Sequence, residues 1–178
     1  MANIVLGVTG SIAAYKACEL TRLFIQAGHQ VHVVMTEAAT HFVTPLTFRT
    51  LSRNPAYTGM FDEPAEWMPE HISLATKADL LVIAPCTANV IAKLAHGLAD
   101  DLLTATALAA KAPLLIAPAM NTAMWEHPAT QANVAILDSR QVKFVDADSG
   151  SLACGTSGKG RMAEPAVILE AAQALLSS

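Results

Sequence analysis

The chain has 178 residues, a length typical of one domain with a full apolar core. Apolar residues make up 53% and charged residues 15% of it, and the net charge is −4, so it lacks the basic surface that nucleic-acid binding requires. This low charged fraction favours the hypothesis that other subunits cover part of the apolar surface.

Membrane, secretion and metal signals are weak. No apolar run approaches the roughly 20 residues that span a bilayer, and the N-terminus enters a strand pattern without a basic region. Cys18, Cys86 and Cys154 are far apart, which argues against a disulfide framework or a metal site. We expect a cytoplasmic protein that binds no membrane, nucleic acid or metal.

Short apolar runs alternate with helical patterns. Nearly continuous apolar runs at residues 4–8, 31–35, 80–84 and 114–117 predict strands that are buried on both faces. Helical spacing or capping residues predict helices over residues 12–28, 87–96, 100–110 and 165–176. This alternation predicts an α/β fold of three layers, with a doubly wound parallel sheet.

Two segments interrupt this alternation. Residues 54–69 contain three prolines and several acids, which predicts an irregular excursion. Residues 146–161 contain four glycines and almost no apolar residue, which predicts a long loop, either disordered or functional as a lid.

Two turns follow predicted strands and lead into helices. Residues 7–11 read Gly-Val-Thr-Gly-Ser, and residues 84–89 read Ala-Pro-Cys-Thr-Ala-Asn. Each segment is either a tight turn or an anion cradle, in which backbone N–H groups bind a phosphate. Two such cradles at one sheet edge favour the binding of a mononucleotide. A dinucleotide-binding site is not supported, because the glycine motif is incomplete and Thr36 stands where an acidic residue would bind ribose.

Other candidates have structural and functional interpretations. Asn121 follows a predicted strand beside Met120 and is either a helix cap or a binding residue. His71 is a surface histidine or a general base, and Cys154, in a glycine-rich loop, is a free thiol or a proton donor. Cys86 is interpreted as a buried apolar residue. The run at 155–160 fails as a P-loop because glycine follows its lysine.

These motifs occur together, in order, in a known family. The segments are Gly-Ser-Ile-Ala-Ala-Tyr-Lys at 10–16, His-Ile-Ser-Leu at 71–74, the turn at 84–89, Pro-Ala-Met-Asn at 118–121 with Met-Trp at 124–125, Leu-Ala-Cys-Gly at 152–155 and Gly-Arg-Met-Ala-Glu-Pro at 160–165. Over residues 3 to about 176 the chain resembles the homo-oligomeric flavin-containing cysteine decarboxylases, in particular those acting on 4′-phosphopantothenoylcysteine.

The resemblance implies a Rossmann-like flavoprotein with FMN near a subunit interface of a homotrimer or homododecamer. The positions that match FMN contacts are Gly10, Ser11, Ile12, Thr36, Thr87, Ala88, Asn89, Val90 and Ala119. His71 matches the active-site histidine and Cys154 the proton donor, while Asn121 matches the substrate-carboxylate ligand with Met120 beside it. Lys159 and Arg161 are candidate ligands of the substrate phosphate.

The implied reaction is FMN-dependent decarboxylation to 4′-phosphopantetheine, on the route to coenzyme A. Transient oxidation of the substrate's cysteine side chain places an electron sink beside the carboxylate, and there is no net redox change. Peptidyl-cysteine decarboxylases and flavin-bound regulatory subunits are the alternatives; the former generally lack the Leu-Ala-Cys-Gly loop, and the latter tend to lose a catalytic residue. We expect residues 1–178 to be one decarboxylase domain without the ligase domain to which many bacterial relatives are fused.

Overall fold

A computed structural model describes residues 1–61, 67–146, 148–151 and 157–177. Six parallel strands form the main sheet, in the order β3-β2-β1-β4-β5-β6. These strands are β1 Asn3–Val8, β2 Gln30–Met35, β3 Ala56–Tyr57, β4 Leu80–Cys86, β5 Leu114–Pro118 and β6 Lys143–Phe144. Two further strands, β7 Asp148–Ser151 and β8 Ser157–Arg161, pair antiparallel in a second sheet.

Helices cover both faces of the main sheet. They are α1 Ala14–Gln26, α2 Glu37–Thr40, α3 Pro45–Ser52, α4 Glu70–Lys77, α5 Ala88–His96, α6 Leu102–Ala109, α7 Thr122–Glu126, α8 Pro128–Ser139 and α9 Pro165–Leu176. One core packs α1, α3 and α9 against the sheet, and the other packs α4, α5, α6 and α8 against the opposite face. The predicted three-layer doubly wound class is therefore confirmed.

Buried apolar strands explain the centre of the sheet. All of β4 is buried, and β1 is buried from its second residue onward, as expected of parallel strands covered on both faces. Strand order reverses between β1 and β4, which are hydrogen-bonded neighbours. Their carboxyl ends therefore open a crevice, where proteins of this architecture bind ligands.

The four predicted strands are confirmed as β1, β2, β4 and β5, and the four predicted helices as α1, α5, α6 and α9. Gly28 and Gly97 adopt positive φ just after α1 and α5, as helix-ending glycines do. The prediction that residues 54–69 are irregular is wrong at β3, which pairs with β2 along two residues only.

The prediction of a long loop over residues 146–161 is wrong, because β7 and β8 form a hairpin there. Glycine and serine give this hairpin almost no apolar pattern, so its strand character was invisible in the sequence. Among the helices of the described residues, none is long and apolar enough to cross a bilayer.

Candidate functional site at the carboxyl edge

Thr9 ties together the turns that follow β1 and β4. Its side chain is fully buried, and its Oγ1 donates a hydrogen bond to the Pro85 carbonyl oxygen at 2.8 Å. The same Oγ1 accepts from the Thr87 backbone N–H at 3.1 Å. The two turns predicted to cradle a mononucleotide are therefore held side by side at the crevice.

The turn after β1 can be built only with glycine at position 10. A Cβ on Gly10 would lie 2.5 Å from the Ala38 Cβ, so the backbone passes directly against α2. Ser11 Oγ accepts the Ala13 N–H at 3.2 Å, which bends the chain into α1. The N–H groups of Gly10 and Ile12 have no acceptor among the described residues, and Ile12 is 56% exposed.

The turn after β4 is the N-terminus of α5. Thr87 Oγ1 caps this helix by accepting the Val90 N–H at 3.4 Å. Within the described part of the chain, the N–H groups of Ala88 and Asn89 have no acceptor, so they remain available to an anion at the positive end of the helix. Val90 itself is buried at 2% exposure.

Cys86 and Thr36 have structural roles. Cys86 is fully buried, and burial raises the pKa of its thiol far above the usual range, which confirms its interpretation as a buried core residue. Thr36 Oγ1 accepts the Ala39 N–H at 3.3 Å and so caps α2 at the end of β2. Its backbone N–H bonds the Val8 carbonyl oxygen at 3.0 Å, which places Thr36 beside the turn after β1.

The segment after β5 joins the same edge. The Ala119 N–H donates to the Cys86 carbonyl oxygen at 2.9 Å, and Ala119 is 4% exposed. Asn121 caps α7, because its Oδ1 accepts the Ala123 N–H at 2.8 Å, so its predicted role as a helix cap is confirmed. Its Nδ2 group is a hydrogen-bond donor, which can bind the carboxylate oxygen of a ligand.

The β7–β8 hairpin lies against this segment. The Met120 N–H donates to the Gly160 carbonyl oxygen at 2.9 Å, and a Cβ on Gly160 would lie 2.5 Å from the Met120 oxygen. A Cβ on Gly158 would meet Thr122 Oγ1 at the same distance of 2.5 Å. Both glycines therefore allow strand β8 to approach the backbone of the Asn121 turn.

Lys159 and Arg161 are exposed on β8, close to this contact. Arg161 Nη2 forms an ion pair of 2.8 Å with Glu164 Oε1, so the guanidinium group already has one anionic partner within the chain. Whether either side chain binds a substrate phosphate stays a prediction.

His71 lies in the first turn of α4 and is partly exposed. The chain passes from the end of α4 into the amino end of the sheet, where the Asp79 N–H bonds the Asn3 carbonyl oxygen at 2.9 Å. The first turn of α4 therefore faces the opposite, carboxyl edge, and His71 is on the same edge as Asn121. Cys154 and its neighbours at 152–156 lie outside the described residues, and its predicted role stays a prediction.

Three residues of this region lie within the quoted motifs, yet the sequence predicts no role for any of them: Thr9, Lys16 and Glu164. Lys16 is 8% exposed and its Nζ donates to Glu164 Oε1 at 2.8 Å. Its signal was a lysine four residues before Leu20 on the apolar face of α1, which predicts a buried charge that needs a partner.

The strand order and the donor-lined crevice define a doubly wound α/β protein that binds ligands beyond the carboxyl ends of its strands. The chain belongs to the Flavoprotein family, whose model matches residues 1–177.

Curated relatives match nearly the whole chain. It is 52% identical over 171 residues to the coenzyme A biosynthesis bifunctional protein CoaBC of Bacillus subtilis, covering 96% of this chain but 42% of that protein. It is 45% identical over 170 residues to the probable phosphopantothenoylcysteine decarboxylase of Streptococcus mutans, covering 94% of this chain and 95% of that protein. The chain thus spans less than half of the Bacillus subtilis protein and nearly all of the Streptococcus mutans one.

Solved structures share the fold over almost the full length. A PPC decarboxylase variant complexed with pantothenoylaminoethenethiol has a TM-score of 0.88 and 32% identity, covering 99% of both chains. The FMN-dependent cysteine decarboxylase SpaF has a TM-score of 0.81 and 32% identity, covering 97% of this chain and 98% of that one.

Proposed function

We propose that the chain is a carboxy-lyase that removes CO2 from 4′-phosphopantothenoylcysteine, using FMN, and releases 4′-phosphopantetheine for coenzyme A biosynthesis. The observation that carries this proposal is the convergence of the turns after β1, β4 and β5, joined by Thr9 and by the bond from Ala119 to Cys86. Relatives named for the same reaction, one of them matched over its full length, support it.

The residues at the crevice fit FMN. The N–H groups of Gly10, Ile12, Ala88 and Asn89 lack acceptors among the described residues, and such donors suit a phosphate and a polar chain. The exposed apolar side chain of Ile12 suits a flat aromatic ring. Bound FMN would supply a reversible two-electron oxidation of the substrate's cysteine side chain, and the resulting C=S group would accept the electron pair that departing CO2 leaves behind.

The chain's own residues orient the substrate and handle its charges and protons. Asn121, fixed as the cap of α7, would hold the substrate carboxylate through its Nδ2 donor. His71 stands at the same edge as the proposed acid–base residue, and Cys154 is the proposed proton donor to the product. Lys159 and Arg161 on β8 are the proposed ligands of the substrate phosphate, with Met120 lining the site beside Asn121.

We also propose that the active form is a homotrimer, alone or assembled into a dodecamer. Large apolar side chains are exposed after the carboxyl ends of the strands, among them Tyr15 at 61%, Leu46 at 69% and Trp67 at 89%. Single exposed apolar residues are ordinary, but a group of them on the ligand-binding edge is typical of an interface. A reducing cytoplasm fits Cys18 and Cys86, which are free thiols.

The decisive experiment combines a visible spectrum with a product assay. The purified protein should show flavin absorbance and should release CO2 from 4′-phosphopantothenoylcysteine with formation of 4′-phosphopantetheine, identified by mass spectrometry. A peptide ending in cysteine is the competing substrate, and faster turnover of the peptide would replace the proposal with a peptidyl-cysteine decarboxylase. Flavin binding without turnover of either substrate would favour a regulatory flavoprotein.

A further inference from the structure

Lys16 is a buried cation with one long-range partner. It lies in the first turn of α1 with 8% of its surface exposed, and its Nζ donates to Glu164 Oε1 at 2.8 Å across 148 positions of the chain. Removing a lysine from water is costly unless an anion compensates it. Glu164 is that anion, and the pair fixes the start of α9 against the start of α1.

Glu164 holds a second cation at the same oxygen. Arg161 Nη2 lies 2.8 Å from Glu164 Oε1, so one carboxylate bridges α1 and the end of strand β8. Hydrogen bonding from Lys16, with the charges of Lys16 and Arg161, lowers the pKa of Glu164 below its usual range. The bridging carboxylate is therefore ionised at neutral pH.

The bridge connects the two sides of the proposed site. Lys16 follows the Gly10–Ser11 turn by less than two helical turns, while Arg161 follows Gly160, whose carbonyl oxygen accepts the Met120 N–H at 2.9 Å. Strand β8 thus contacts the Asn121 segment at Gly160 and is bound to α1, through Glu164, at the next residue, Arg161.

We propose that Glu164 is a positioning residue, which through its ion pairs with Lys16 and Arg161 sets the placement of strand β8 against the Gly10–Ser11 turn. This proposal rests on the proposed function for its kinetic consequence only. Glu164 acts through strand β8, so its loss should displace the side chains of β8 while the N–H donors of the crevice stay in place.

The test compares Glu164→Gln with Glu164→Asp and with the matched control Glu19→Gln. Glu19 also pairs with an arginine, Arg22, at 2.6 Å, but both residues lie within α1, so this pair joins no second element. Glu164→Gln should lower kcat/KM about tenfold, the effect of a small displacement of a substrate-binding strand, while the visible spectrum and the retained flavin are unchanged. Glu164→Asp should restore most of this loss, and Glu19→Gln should match the wild type.

A second readout needs neither substrate nor bound flavin. Amide hydrogen exchange should rise about tenfold at residues 158–161 in Glu164→Gln, and stay unchanged there in Glu19→Gln. Lys16→Met replaces the cation with an apolar side chain that suits the buried position, and it should produce the same local increase. The double variant with Lys16→Met and Glu164→Gln should exchange little faster than either single variant.

Each outcome decides the proposal. Equal exchange at β8 in Glu164→Gln and Glu19→Gln overturns it, and so does a loss of stability spread over the whole chain without a local rise. If the wild type lacks decarboxylase activity, the proposed function fails, and the exchange at β8 still decides whether Glu164 positions the strand.

Discussion

At the scale of single residues, Thr9 joins the turn after β1 to the turn after β4, a role that the motifs do not predict. One buried hydroxyl accepts from the turn after β4 and donates to it as well, so it sets the distance between the two proposed cradles. Such a group is hard to replace, because a buried N–H left without an acceptor costs free energy.

Replacing Thr9 with valine keeps its shape and removes its hydroxyl. The buried hydrogen bond to the Pro85 carbonyl oxygen is lost, the Thr87 N–H loses its acceptor at a partly buried position, and the free energy of unfolding should fall by about 1–3 kcal/mol. Urea unfolding monitored by circular dichroism measures this change. Thr9→Ser retains the hydroxyl and is the control; equal stability of the serine and valine variants would show that the bridge contributes nothing.

His32 gives the protein a pH dependence that can be assigned to a residue. Burial, and then the charge of Lys77, lower the pKa of His32 from 6.5, and its Nδ1 is buried without a hydrogen-bond partner within the described residues. Because the unfolded chain binds this proton more tightly than the folded protein does, the free energy of unfolding should decrease as the pH falls below about 6.5.

Urea unfolding at about pH 7.5 and about pH 5.5 brackets the ordinary histidine pKa. His32→Gln should lose less stability between these two conditions than the wild type does. The exposed His41 supplies the control, since His41→Gln should lose as much as the wild type. An identical loss in all three proteins would refute the assignment to His32.

At the scale of elements, the sheet was predictable and the hairpin was not. Strands β1 and β4 are long, apolar and buried, so their pattern is readable without neighbours, whereas β3 and β6 are two-residue edge strands defined only by their pairing. Helix α8 begins at Pro128 and was missed, because its cap is the unusual residue His127, whose Nδ1 accepts the Ala129 N–H.

The candidate site divides in the same way. Positions such as Ser11 and Asn121 were found because strand ends and the family's motifs identify them, and the structure brings both to one edge. Lys16 and Glu164 were missed because their pairing spans 148 positions and depends on the packing of α9 against α1. Tertiary contacts of this kind leave almost no local signal in a single sequence.

The contact of strand β8 with the Asn121 segment depends on Gly160. Its φ is +128°, and a Cβ there would lie 2.5 Å from the Met120 carbonyl oxygen. Gly160→Ala should therefore destabilise the protein by about 1–3 kcal/mol through the clash, in addition to the strain of positive φ. It should also raise the substrate KM, because β8 must move away from Met120.

The matched control is Gly28→Ala. Gly28 also has a positive φ, +85°, but a Cβ there would meet nothing within 4 Å, so it measures the conformational strain alone, about 1–2 kcal/mol. Thermal unfolding and steady-state kinetics measure both variants. Equal destabilisation by the two substitutions, with an unchanged KM in Gly160→Ala, would contradict a close contact between β8 and Met120.

At the scale of the whole molecule, the structure shows where the abundant apolar residues of this weakly charged chain lie. The apolar excess of the composition is used first in two cores, one on each face of the sheet. What remains on the surface includes Tyr15, Leu46 and Trp67, which follow strands along the chain and so lie towards the carboxyl edge that carries the crevice. Copies of the chain that meet at this edge would cover apolar surface and enclose the ligand at the same time.

Two leucines of nearly equal exposure allow the carboxyl edge to be compared with the amino edge in an experiment. Leu46, at the start of α3, is 69% exposed on the carboxyl edge, and Leu108, near the end of α6, is 65% exposed close to the start of β5 at the amino edge. Burying a leucine contributes about 1.5–3 kcal/mol, and placing a carboxylate in an apolar contact costs more. Leu46→Glu should therefore reduce the oligomer to smaller species at micromolar concentration, whereas Leu108→Glu should leave the mass unchanged.

Size-exclusion chromatography with light scattering measures the masses, and circular dichroism verifies that both variants fold. A monomeric wild type, or an equal effect of the two glutamates, would remove the carboxyl edge as the site of self-association.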